Sequence, residues 1–224
     1  MKTRKEIKLI ITDFDGVILK SENAKNEAFE ECFSIFPAPI FKEFIEYHRN
    51  NITIGRYAKF EFFYDKILKI GYSEENEKFI SERFNNIVFN KVVLSPFLPG
   101  VKEFIINYSK CIPIIIISGT PKEELIKILD YLKISRYFIN IFSIPPIKSD
   151  IVAKVLKLYK LKSENVVYLG DMNNDLLAAQ KNKVPFIGVR GTEDFMDKKI
   201  CEINDFLTID NILYIYNDKV YLNS

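Results

Sequence analysis

The sequence predicts an α/β fold, a doubly wound parallel sheet interrupted by a long helical insertion. Two observations carry this. Short β-branched runs alternate with segments of helical periodicity, and one stretch, 21–95, breaks that alternation. The four runs are IKLII (7–11), IPIIII (112–117), NVVYLG (165–170) and PFIGV (185–189). Each is four to six residues of continuous apolar character, the pattern of a strand buried on both faces. Segments 121–133, 150–160 and 173–183 repeat apolar residues every three or four positions, which predicts amphipathic helices between the strands.

Residues 21–95 carry no comparable run and read as several helices rich in Phe, Tyr, Glu, Lys and Asn. Pro37 and Pro39, the stretch NNITIG (50–55) and Gly71-Tyr72-Ser73 are the expected joints, giving one or two helical hairpins. The division expected is a core domain of 1–20 and 96–224, with a helical domain of 21–95. In the last stretch, 203–224, DFLTI reads as a strand and NILYIYN as a short apolar piece.

Composition narrows the function. Of 224 residues, 48% are hydrophobic and 28% charged, enough apolar side chain for a packed core. The 32 basic and 30 acidic residues give a net charge of +2 and are scattered, without the basic stripe that nucleic-acid binding needs. Cys32, Cys111 and Cys201 are far apart and lack metal-ligand spacing, as expected of reduced thiols in a cytoplasm. The N-terminal apolar run is broken by Lys8 and ends in acids, unlike a signal peptide, and no apolar stretch approaches the roughly 18 residues of a membrane span. A cytoplasmic protein without nucleic-acid or membrane partners is expected, a monomer or weak homodimer.

The chemistry gathers at strand ends. The first strand closes in Asp13-Phe14-Asp15-Gly16, two carboxylates alternating with an apolar residue and so pointing the same way, into the crevice where open α/β sheets bind ligands. Capping of the next turn is the structural alternative. The second strand ends in Ser118-Gly119-Thr120-Pro121, whose hydroxyl and backbone N–H groups suit a phosphoryl oxygen. It reads equally as an N-cap, with Thr120 before a Pro121 in first helical position. A third strand ends in Gly170-Asp171-Met172-Asn173-Asn174-Asp175, with two acids four apart at a strand-to-helix turn. Lys148 stands where a helix should begin, opposing the helix dipole; it reads either as a lysine neutralised by phosphate or carboxylates or as a solvated one.

This order of acidic pair, hydroxyl, lysine and acidic pair resembles the haloacid dehalogenase superfamily of phosphotransferases. The matching pieces are TDFDGV (12–17), IISGT (116–120), Lys148 and LGDMNND (169–175). The insertion resembles that superfamily's helical cap, as in phosphoglycolate-phosphatase-like and β-phosphoglucomutase-like members. The resemblance implies a magnesium-dependent phosphatase acting on a small phosphomonoester. Asp13 would be the nucleophile and Asp15 the general acid and base. Asp13, Asp15 (by its backbone carbonyl), Asp171 and Asp175 would hold Mg²⁺ or flank it, and Ser118, Gly119 and Lys148 would bind the phosphoryl group. Dehalogenation is disfavoured by the acidic second residue, Asp15. A phosphomutase could use the same residues, and Val17, where many hydrolases of the superfamily have Thr, keeps it open. A non-catalytic binding protein would be expected to lack Asp13 or Asp15. Segment 47–60 resembles phosphatases encoded with bacterial surface-polysaccharide genes, which implies a sugar or small alcohol phosphate. His48, Arg49, Arg56 and Lys59 there read either as substrate contacts or as a solvated basic face. Arg56, able to grip a carboxylate or second phosphate with two N–H groups, is the expected cap contact.

Overall fold

The computed structural model describes residues 5–51, 54–144, 146–191 and 194–223. In chain order its elements are β1 (Lys5–Ile7), β2 (Leu9–Thr12), α1 (Glu22–Phe33), α2 (Ala38–Asn50), α3 (Arg56–Phe62), α4 (Glu74–Leu94) and α5 (Val101–Tyr108). There follow β3 (Ile114–Ser118), α6 (Lys122–Tyr131), β4 (Asn140–Ser143), α7 (Lys148–Leu158), β5 (Val166–Gly170), α8 (Asn173–Lys181), β6 (Phe186–Val189), β7 (Cys201–Ile203), β8 (Leu213–Tyr216) and β9 (Lys219–Leu222). They divide into two compact units, Met1–Lys20 with Pro96–Ser224, and Ser21–Ser95.

In the first unit, six strands among the described residues form a sheet in the order β4-β3-β2-β5-β6-β7, every pair parallel. β2, β3 and β5 are buried at every position, as their continuous apolar sequence requires. Leu9, Ile11, Ile115, Ile117, Val166 and Tyr168 pack against Ile151, Val152 and Val155 of α7 and Ala178 and Ala179 of α8. The alternate side chains Ile10, Ile114, Ile116, Val167 and Leu169 are also fully buried, so both sheet faces are covered. Each such Ile or Val contributes about 1.5–3 kcal/mol by leaving water. From β2 the chain moves to β3 and β4 on one side, then crosses to β5 on the other. The switch point, where open α/β sheets bind ligands, therefore lies at the C-terminal end of β2.

Several expectations need correction. The first run is two strands, because Lys8 turns to solvent between β1 and β2. The stretch 205–209, read as a strand, is a turn. Asp205 Oδ1 accepts the Leu207 N–H at 2.9 Å and the Phe206 N–H goes to Pro99 O at 2.9 Å, a local side-chain bond that competes with any ladder. The apolar piece after it is β8, paired with β9 through Asn217 and Asp218, both at positive φ (48° and 57°) as a type I′ turn demands. β1, β9 and β8 make a small antiparallel sheet. Gly100, at φ +77°, allows the turn into α5 to lie against Phe206, whose carbonyl carbon would stand 2.8 Å from any Cβ there.

The second unit is helical, with an aromatic core that accounts for its wealth of Phe. Phe33 stacks on Phe44 at 3.8 Å between ring centroids and meets Phe63 edge-on at 4.7 Å, and Phe29 lies 4.5 Å from Phe84. The expected joints are joints: Pro37 precedes α2, Gly55 precedes α3, and Gly71 (φ +83°) leads to Ser73, whose Oγ caps α4 by accepting the Asn76 N–H. Ile52 and Thr53 of the NNITIG stretch lie outside the described residues. No helix is long and apolar enough to cross a membrane among the described residues.

Candidate active site

Side-chain parity along the strands assembles the site. Asp13 directly follows β2 on the face of Leu9 and Ile11, the face covered by α7 and α8, and Lys148 is the first residue of α7. Lys148 Nζ donates to Asp13 Oδ2 at 2.7 Å and to Asp175 Oδ1 at 2.6 Å. The expected helix start near 150 is thus at Lys148 itself, and carboxylates supply the counter-charge that its position against the dipole requires. All three groups are buried, with Asp175 fully so. Asp13 Oδ1 accepts the Phe14 N–H at 2.7 Å.

Asp171 follows β5 and is buried, while Asp175 is the third residue of α8 and folds back over the strand end. Its Oδ2 accepts the Met172 N–H at 3.3 Å, closing the helix N-terminus. Gly170 makes this return possible, since a Cβ on it would stand 2.4 Å from Asp175 Cβ. Asp13, Asp171 and Asp175 each bring one carboxylate oxygen within 4.8 Å of the others. Oxygens around a magnesium ion at 2.0–2.1 Å are separated by about 3–4 Å, so this spacing is that of carboxylates in or beside such a shell.

The electrostatics favour a cation there. Burial pushes the Asp13 carboxyl up to about 7; Lys148 opposes this, and Asp175 and Asp15 add to it. Burial alone would pull Lys148 down, but the Asp13 and Asp175 carboxylates outweigh it and hold the ammonium above its ordinary value. One lysine faces three buried carboxylates, a donor set of hard oxygens that suits Mg²⁺.

On the other side of β2, Ser118 ends β3 and its Oγ accepts the Thr120 N–H at 3.0 Å; Gly119 between them is exposed. Helix α6 begins at Lys122 with Pro121 as its cap residue, one position later than expected. Thr120 is therefore no helix cap. Its Oγ1 donates to Asp15 Oδ2 at 3.0 Å, tying the second acid of the first motif to the second strand end. In sequence Thr120 presents itself only as a cap. Tyr168 was likewise passed over as a core aromatic, yet its hydroxyl donates to Asp175 Oδ1 at 2.6 Å.

Asp13, Asp15, Ser118, Gly119, Lys148, Asp171 and Asp175 all belong to the α/β unit, and Arg56 to the helical one. Within that unit Arg56 donates to Asn85 Oδ1 at 2.7 Å and its guanidinium lies 4.8 Å from the Phe84 ring centre. Arg49 pairs with Glu30 at 2.6 Å on the surface. His48 and Lys59 are not on a solvated basic face; both are buried. Lys59 Nζ bonds His48 Nδ1 at 3.0 Å and sits 5.0 Å from the Phe29 ring centre, and His48 Nε2 bonds Asn26 Oδ1 at 3.2 Å. Burial pulls Lys59 down to about 8, and burial together with Lys59 pulls His48 down to about 4. With the ammonium donating to Nδ1 of a neutral imidazole, Nε2 carries the ring proton and donates it to Asn26 Oδ1.

The fold is a parallel α/β sheet that gathers paired acids, a hydroxyl and a buried lysine at its switch point. The chain belongs to the haloacid dehalogenase-like hydrolases, whose family profile matches residues 10–189. No curated protein sequence matches it. Solved structures share its fold. The HAD-hydrolase described as YfnB from Bacillus subtilis, bound to magnesium, superposes with a TM-score of 0.71 at 13% identity, over 92% of this chain and 98% of that one. A Thermotoga maritima protein described as a β-phosphoglucomutase gives 0.68 at 21% identity, over 92% and 97%. CbbY from Rhodobacter sphaeroides, in complex with phosphate, gives 0.68 at 17% identity, over 91% and 96%.

Proposed function

We propose that the protein is a Mg²⁺-dependent phosphatase of small phosphomonoesters, sugar or small alcohol phosphates, working through a phosphorylated Asp13. The observation that carries this reading is the buried Lys148 bridging Asp13 and Asp175 beside Asp171 at the sheet's switch point. Asp13 Oδ attacks phosphorus and the ester oxygen departs, so that one difficult displacement becomes two easier ones. Asp15, steadied by Thr120, gives its proton to the leaving oxygen, then takes one from the water that cleaves the acyl phosphate. Lys148, Ser118 and the Gly119 N–H neutralise the phosphoryl oxygens. Asp13, the Asp15 backbone carbonyl and Asp171 would hold Mg²⁺, with Asp175 beside them. The ion would supply charge neutralisation at the phosphoryl group.

We propose further that 21–95 serves as a cap domain over the core of 1–20 and 96–224, with Arg56 as its contact to the substrate's second anionic or polar group. Free thiols at Cys32, Cys111 and Cys201 support a cytoplasmic location, and a monomer or weak homodimer is proposed with it.

The test is phosphate release from a panel of sugar phosphates, phosphoglycolate and small alcohol phosphates, with Mg²⁺ or EDTA. Metal-dependent release supports the hydrolase and ranks substrates. The buried Val17, which brings no hydroxyl to the first motif, favours examining a second reading, a phosphomutase. That reading wins if sugar phosphates are isomerised in the presence of a bisphosphate with little phosphate released.

A further inference from the structure

Tyr168 lies in the middle of β5, fully buried in the cluster that packs the sheet on α7 and α8, and among the described residues it is the one buried member of that cluster with a polar side-chain atom. Phenylalanine would fill the same space. A buried hydroxyl is retained at such a place only where it has a partner, because an unmade hydrogen bond there is costly. Its partner is Asp175 Oδ1 at 2.6 Å, the same oxygen that accepts Lys148 Nζ at 2.6 Å. The other oxygen of Asp175 takes the Met172 N–H. Three donors from β5, α7 and the start of α8 thus converge on one carboxylate.

We propose that Tyr168 is a positioning residue: its phenol locks Asp175 in the rotamer that holds Lys148 against Asp13, so that Asp175 acts through the lysine. This rests on the phosphotransfer reading above. An ammonium has three protons, and Asp13 and Asp175 take two among the described residues. The direction of the third, towards a phosphoryl oxygen, is then set by how rigidly those two carboxylates stand. Asp13 must move as it attacks phosphorus, which leaves Asp175 as the fixed anchor. The phenol fixes the anchor without touching substrate.

The experiment uses the full chain, p-nitrophenyl phosphate with Mg²⁺, and the variants Tyr168→Phe, Asp175→Ala and the two together. Tyr168→Phe is expected to lower kcat roughly tenfold with KM within about twofold, the loss of one charge-assisted hydrogen bond at a positioned group. The Mg²⁺ concentration for half-maximal rate should stay within about twofold. The double variant should be no slower than Asp175→Ala alone, because the phenol then has nothing left to position. An unchanged kcat in Tyr168→Phe, whatever its Tm, would reduce the phenol to a structural bond and overturn the proposal. So would additive losses in the double variant, or a tenfold rise in the Mg²⁺ requirement, which would tie Asp175 to the ion instead. Thermal unfolding of the same four proteins separates this from the function. If the wild type releases no phosphate the phosphatase reading falls and takes the catalytic role with it, while non-additive Tm changes still establish that Tyr168 holds Asp175, and additive ones refute even that.

Discussion

Replacing Gly170 by Ala tests whether Asp175 occupies its place under constraint. The added Cβ would stand 2.4 Å from Asp175 Cβ, 2.7 Å from Cγ and 3.0 Å from Oδ2. Carbon atoms in contact prefer about 3.5–4.0 Å, so the Asp175 side chain must retreat by roughly 1 Å or more. Its Oδ1 bonds to Lys148 and Tyr168 are 2.6 Å each, and a retreat of that size takes them to a separation at which a hydrogen bond no longer exists. Overpacking costs about 1–3 kcal/mol and a buried carboxylate stripped of donors about 1–3 more. The sum, roughly 2–6 kcal/mol, corresponds to a Tm lower by about 4–24 °C for a chain of this size. Thermal unfolding of wild type, Gly170→Ala and the control Gly119→Ala measures it. The control's Cβ finds ordinary space, 3.6 Å from Ile144 Cδ1, and should melt with the wild type. Phosphatase activity of Gly170→Ala should fall by at least a hundredfold. Equal melting of Gly170→Ala and wild type, with activity kept, would refute the reasoning.

Three further outcomes are expected. Lys59 has no carboxylate partner among the described residues and is drawn down to about 8 from 10.5. Its buried charge therefore costs stability in full below about pH 8, and the cost fades as pH rises towards 10.5. Lys59→Met should be more stable than wild type at pH 7 by roughly 2 kcal/mol, after allowance for the bond His48 loses, and the gap should close by pH 10.5 in denaturant titrations; parallel pH curves would count against it. Mg²⁺ at about a hundred times its dissociation constant should stabilise the wild type by about 2.7 kcal/mol, read as a thermal shift, and should not stabilise Asp171→Ala. Arg56→Ala should raise KM about tenfold on the best substrate of the panel; kcat/KM unchanged on every good substrate would remove Arg56 from substrate binding.

What could be read from the sequence follows from how much each residue's setting is local. β2, β3 and β5 announce themselves because central parallel strands must be apolar on both faces, and the acids at their ends stand out against that background. β4 and β7 went unread because they are the two edges of the sheet. NIFS is only half-buried and CEI is three residues long, so neither carries an apolar run. The β8–β9 hairpin has a local signal, Asn217-Asp218 between apolar residues, while the apolar look of DFLTI hides the turn made by Asp205. In the site, Asp13, Lys148, Asp171 and Asp175 were legible through spacing at strand ends. Thr120 and Tyr168 were not, since one resembles a cap and the other a core aromatic, and only tertiary packing brings their hydroxyls to Asp15 and Asp175. Lys59 and His48 look solvated in sequence for the same reason; the faces of α1 and α2 that bury them are set by the aromatic core.

The central claim is a phosphoryl group carried on Asp13. Acid-quenching the wild type during turnover of its best substrate with Mg²⁺, reducing the acyl phosphate with borohydride and sequencing the peptides by mass spectrometry reads that residue directly. The account predicts reduction of Asp13 to homoserine in the wild type, none without substrate, and neither label nor phosphate release in Asp13→Asn. Turnover that proceeds in Asp13→Asn, or modification at any other carboxylate, would contradict it.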